Sequence, residues 1–127
     1  MMNQKKNKKQ FGIWMDTQNA TIIGFENADS ETFAVIGHVH NEGPEPNSSE
    51  FATHNEEKTL TQKYFKKIAA LMPNIDDIHV TGSGQIQEQF IHYLAATPQY
   101  KNVVSTDSTS NKMSDENLII FIGKHFG

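Results

Sequence analysis

The 127-residue chain is 36% hydrophobic, contains no cysteine and carries a formal net charge of −4. That size suits one domain with one core, and the missing cysteines exclude disulfides, thiol nucleophiles and thiolate metal centres. No apolar run approaches the ~20 residues a membrane helix needs, and MMNQKKNKKQ offers no apolar stretch for a signal peptide, so a cytoplasmic protein without membrane contact is expected.

The charge is uneven along the chain. Lys5, Lys6, Lys8 and Lys9 are four of the 11 basic residues; without them 7 bases face 15 acids, about −8. Residues 1–10 therefore read as a disordered, solubilising basic tail. An acidic body is poor ground for broad contact with nucleic acid, because phosphate neutralisation supplies most of that affinity.

FGIWMD (11–16) and ATIIGF (20–25) are short runs of β-formers around the turn-like DTQN, a β-hairpin pattern. After the polar NADSE comes TFAVIGHVH (32–40), which completes a three-stranded meander. NEGPEPNSSEFATHN (41–55) has no periodicity and reads as a long acidic loop. Thr53 and Glu56 have capping-box spacing. Leu60, Tyr64, Ile68 and Leu71 then share a helix face, and Pro73 stops that helix. DIHV (77–80) is a fourth strand before the TGSG turn, and Ile86, Phe90 and Leu94 mark a second helix closed by Pro98. NVVST (102–106) is a fifth strand and DSTSNKMS (107–114) a polar loop. Ser114 caps a last helix, whose Asp115 and Glu116 suit the positive end of its dipole and whose apolar positions are Leu118, Ile119, Ile122 and Phe126.

The order βββαβαβα predicts an α/β fold: one five-stranded mixed sheet with packed helices, its later strands joined by right-handed crossovers. No internal repeat or second domain is visible, and no segment specifies an oligomeric state.

Five sets of residues carry possible chemistry. Gly82, Ser83 and Gly84, directly after a strand and before a helix, are the phosphate- or anion-binding candidate. Neither a Walker motif nor a full dinucleotide fingerprint follows them, and a tight strand-to-helix turn is the simpler reading. Lys58, Lys63, Lys66 and Lys67 on the first helix are the RNA-contact candidate, against the ordinary reading of a solvated face. His38 and His40 lie two apart on a strand and so on one side; with His54 they are a weak metal candidate lacking a spacing-defined third ligand. A two-metal nuclease needs carboxylates gathered at one place; Asp16 ends the first strand, but the end of the fourth strand offers Thr81, and Asp76 and Asp77 stand at its other end. A turn is the ordinary role of Asp16. Phe11, Trp14 and Phe25 are either base-stacking aromatics or core. No cofactor is implied, and no catalytic residue is assigned.

HVTGSGQIQEQFIHYL, NVVSTD and NKMSDENLIIFIGKHFG, taken in that order, resemble small bacterial proteins akin to the middle domain of the archaeal and eukaryotic peptide-chain release factor and of Pelota. Lys112, Met113, Ser114 and Asp115 match that group's Lys-Met-Thr/Ser-Asp helix start. GIWMDTQNATIIGF is similar to its first hairpin, and HVH at 38–40 to the close of its third strand. The resemblance spans residues 11–127. It implies a ribonuclease-H-like sheet, shared with ribosomal proteins of the S11 and L18 type. It also implies a translation-associated role, with ribosome or ribosomal RNA as partner.

Release factors of that group carry Gly-Gly-Gln between the third strand and the first long helix. Here NEGPEPNSSEFATHNEE stands in its place, with Glu42, Glu45, Glu50, Glu56 and Glu57 and no base before Lys58. Like charges repel, by ~1 kcal/mol per pair at ~4 Å in water and more at lower dielectric, so entry into a phosphate-walled cavity is opposed. A non-catalytic, ribosome- or RNA-binding accessory protein without peptide-release activity is expected. The alternative is a protein-interaction or small-ligand module that has lost its RNA partner.

Overall fold

The structure, a computed structural model, describes residues 9–25, 32–41 and 50–126, without the side chains of residues 50–58. Its elements are β1 (Gln10–Met15), β2 (Asn19–Phe25), β3 (Phe33–His40), α1 (Glu50–Ala70), β4 (Asp77–Gly82), α2 (Ile86–Ala96), β5 (Val104–Thr109) and α3 (Asp115–Phe126), with a 3-10 turn at Pro98–Tyr100. The five strands form one sheet in the order β3-β2-β1-β4-β5. β2 is antiparallel to β1 and β3, whereas β4 is parallel to β1 and β5. This is the expected mixed α/β sheet with its meander and two crossover units.

The period of two along β1 sorts its side chains between two cores. Phe11, Ile13 and Met15 join Ile22, Ile78 and Val80 beneath Tyr64, Phe65, Ile68, Phe90 and Leu94, so α1 and α2 cover one face. Trp14 and Ile23 join Leu118 and Ile122 beneath α3 on the other face. β1 is therefore buried from Phe11 to Met15, as a central strand covered on both sides must be. Gly12 is needed at the second contact: a Cβ there would overlap the Ile122 side chain. A bulge between Ile22 and Ile23 shifts the β3 register. It leaves Ile36 against the larger core and Val35 against the smaller one.

Several boundaries differ from expectation. α1 starts at Glu50, so residues 50–55 are helix rather than loop, and the Thr53–Glu56 spacing lies inside it. No glycine or proline interrupts 50–70, and helix formers such as Ala52, Glu56 and Glu57 let the helix propagate toward its N-terminus. β4 runs on to Gly82, and β5 spans 104–109 rather than 102–106, so Asp107, Ser108 and Thr109 are strand rather than loop. An edge strand needs only one ladder and tolerates polar side chains; the hydroxyls of β5 also find partners on β4. The sheet begins at Gln10, inside the expected tail. Lys9 is already held there, its N–H donating to Asp76 Oδ2 and its carbonyl accepting from the Asp76 and Asp77 amides. The rest of the proposed tail, and residues 42–49 of the acidic segment, lie outside the described residues. Ser114 does cap α3: Asn117 N–H donates to its Oγ at 3.1 Å. No helix among the described residues is long and apolar enough to cross a membrane.

Candidate functional site

Parallel pairing brings the carboxyl ends of β1, β4 and β5 to one edge, with Met15, Gly82 and Thr109 in register. β3 ends beside the same edge, His40 opposite Asn19 at the β1–β2 turn. Open α/β sheets present their ligand sites at this edge, and most of the sequence candidates gather there.

Asp16 shapes the turn. Its Oδ1 accepts the amides of Gln18 and Asn19 at 2.8 and 2.7 Å, an Asx turn. Its carbonyl accepts the Tyr64 hydroxyl at 2.9 Å, which ties α1 to the turn. Burial, and then the Asp16 charge, raise the Tyr64 hydroxyl above its ordinary range, so it remains a protonated donor. Asp76 and Asp77 stand at the opposite edge, level with Gln10.

Gly82 lies in the closing position of β4. A Cβ there would overlap the Met15 carbonyl oxygen, so close backbone approach explains this glycine; neither it nor Gly84 has a positive φ. The Gly82 carbonyl accepts from Ser110 N and from Gln87 Nε2. Gln87, wholly buried, also donates to the Ser108 carbonyl, and its Oε1 has no partner among the described residues. Ser83 and Gly84 are exposed. α2 begins after Gln85 with no side-chain cap, and Glu88 in its first turn complements the dipole.

The histidines of β3 do not converge. His38 Nε2 meets Asp115 Oδ2 at 3.1 Å, whereas His40 Nδ1 meets Asn19 Oδ1 at 2.9 Å. Among the described residues no three His, Asp or Glu side chains are grouped as metal ligands, and the side chain of His54 lies outside them. Trp14 is only 4% exposed and Phe11 7%, so both are core rather than a stacking surface. Phe25 is half-buried and stacks on Phe33 at 4.5 Å.

The lysines of α1 separate. Lys63 and Lys67, one turn apart, line a pocket of 220 Å³ with His40, Asn41, Leu60 and Tyr64. Lys66 is exposed but not part of that pocket, and the Lys58 side chain lies outside the described residues. A second, larger depression of 640 Å³ runs between α1 and α2, lined by Thr61, Gln62, Phe65, Gln89, His92, Tyr93, Ala96 and Thr97.

A cluster that sequence reasoning missed lies between β4, β5 and α3. His79 is buried, its Nδ1 2.8 Å from Thr106 Oγ1 and its Nε2 2.9 Å from Ser108 Oγ. Ser108 Oγ in turn donates to Thr81 Oγ1, which contacts Ser110 Oγ. His125 of α3 stacks on the His79 ring at 4.0 Å. Burial foremost, then His125, lower the His79 pKa to about 4, against an opposing pull from Asp107. A neutral imidazole among hydroxyls that each donate or accept as needed is satisfied in place. The sequence carried no usable signal, because Ser105 and Thr109 place hydroxyls between Thr106, Ser108 and Ser110 and erase any period of two.

No protein-family model and no curated protein matches the chain. Solved structures do. The Pelota protein of Thermoplasma acidophilum aligns over 94% of this chain and 33% of its own, at 20% identity and a TM-score of 0.57. The archaeal translation termination factor aRF1 aligns over 93% of this chain and 35% of its own (13% identity, TM-score 0.52). Archaeoglobus fulgidus Pelota aligns over 97% and 36% (12%, 0.52). The chain spans about a third of the length of these proteins. In fold, it resembles the middle domain of the release factor and Pelota.

Proposed function

We propose that this protein is a non-catalytic accessory of translation that binds ribosomes or RNA, in the cytoplasm, and does not release peptides. The observation that carries the reading is the alignment of nearly the whole chain with a domain-sized part of Pelota and of a termination factor. Two features of the chain support the finer statement. The segment between β3 and α1 lacks Gly-Gly-Gln and is acidic. Lys63, Lys66 and Lys67 are solvent-exposed bases on the helix that follows it.

Co-sedimentation of the full chain with ribosomes across a potassium chloride series tests the reading. Binding through phosphates falls steeply as salt rises, by about 0.7–0.9 in log K per log salt for each phosphate neutralised. Salt-insensitive or absent binding would contradict it, as would peptide release by the unmodified protein in a purified translation system. The net charge of −4 and the α1–α2 depression with Phe65 and Tyr93 favour a second reading, a protein- or ligand-binding module. Partners captured from lysate that survive ribonuclease treatment would select it.

A further inference from the structure

We propose that the pocket walled by His40, Lys63 and Lys67 receives one phosphate of a single-stranded RNA backbone; the inference rests on the RNA-binding reading above. Residues four apart on a helix are neighbours, about 5–6 Å between Cβ atoms, so the ammonium groups of Lys63 and Lys67 can flank a single anion. Leu60 and Tyr64 supply the apolar wall between them, which lowers the local dielectric and strengthens both attractions. The floor is fixed, because Tyr64 is buried and its hydroxyl is held by the Asp16 carbonyl.

The polar rim is held in place by contacts within the protein, so the two lysines are the pocket's free donors. Asn41 is anchored at both ends, its N–H donating to the Gln18 carbonyl at 2.7 Å and its Nδ2 to the Thr17 carbonyl at 2.9 Å. His40 Nδ1 meets the Asn19 side-chain amide at 2.9 Å, which holds the ring against the β1–β2 turn. No carboxylate lines the pocket among the described residues. The acid nearest in sequence to the turn, Asp16, already accepts two amides on Oδ1. A volume of 220 Å³ equals that of about seven waters, room for a phosphate and part of its sugar but not for a base stack. Lysines act on phosphate as point charges, without the fork geometry that a carboxylate would reward in arginine.

Fluorescence anisotropy of a labelled 20-mer oligouridine with the full chain tests the pocket, using K63Q, K67Q and K101Q. The first two should each weaken binding about tenfold and flatten the salt slope by about 0.7. K101Q, at an exposed lysine outside the pocket and off α1, should change affinity by less than about threefold, as for a peripheral contact. Oligouridine binding that falls equally in all three variants would overturn the pocket while leaving the RNA reading intact. Absence of oligouridine binding by the unmodified chain would overturn the RNA reading and the RNA phosphate together. Backbone-amide NMR shifts on adding inorganic phosphate then separate the two losses. Shifts at His40, Lys63 and Lys67 that K63Q removes support the anion chemistry of the pocket, and their absence refutes it.

Discussion

Gly82 is the residue at which backbone geometry leaves no alternative. Its missing Cβ makes room for the Met15 carbonyl, a backbone atom in the sheet that cannot swing aside. Gly82→Ala should therefore destabilise the fold by about 1–3 kcal/mol, the range for overpacking. Gly84→Ala, which meets open space at an ordinary φ, should stay within about 0.5 kcal/mol. Urea unfolding midpoints compare the two, and equal midpoints would contradict the account. His79 makes a second prediction. The folded protein holds its pKa near 4 against an ordinary value of 6.5, so the unfolded chain takes up a proton that the folded chain resists. Stability from this group is complete above about pH 6.5 and is lost as pH falls toward about 4. Urea midpoints at pH 7.5 and 4.5 should fall further in the unmodified protein than in H79Q; an identical fall would remove His79 as the cause.

Among the three α-helices, α3 has the fewest fully buried side chains in the described residues. Leu118 and Ile122 are its fully buried residues, set against Trp14 and Ile23. Ile122→Ala should cost about 2–5 kcal/mol, because it removes buried surface and leaves space that Gly12 cannot fill. Ile120→Ala, at a position 55% exposed, should be near neutral. Thermal unfolding followed by far-UV dichroism separates these outcomes. Of the apolar helix positions marked by period, Tyr64, Ile68, Ile86, Phe90, Leu94, Leu118 and Ile122 are buried, whereas Leu60, Leu71, Ile119 and Phe126 are half-buried. Element ends were less legible. β5 looked like a loop beyond Thr106 because its stabilising contacts are hydroxyls bonded to His79 and Thr81 across the sheet, which no local propensity records. α1 began before its capping-box signal because nothing in residues 50–52 forbids helix.

At the scale of the whole molecule, the net charge and the local sites pull in different directions. A chain at −4 repels polyanions at long range, but that field is screened beyond ~8–10 Å at physiological salt. Contact between this protein and RNA would thus depend on short-range features such as the Lys63–Lys67 wall, and the steepness of the salt series reports how many phosphates they neutralise. The order β3-β2-β1-β4-β5 gathers those features by placing the end of β3, the Asp16 turn and the end of β4 along one edge. None of these segments is adjacent in the chain.

The βββαβαβα order, the sheet's mixed pairing and the inward helix faces followed from the amino acids themselves, since strand and helix periods of two and 3.6 are local properties of the chain. The absence of Gly-Gly-Gln between β3 and α1 is likewise plain in the residues. Four matters were decided only by packing in three dimensions. Lys63 and Lys67 share a pocket with His40 and leave Lys66 outside it. His38 and His40 go to different partners. Trp14 faces α3 in the core. His79 becomes a buried, neutral ring beneath His125. Each depends on which surfaces meet across tens of residues, and such contacts are set by sheet register and helix placement rather than by any neighbour in the chain.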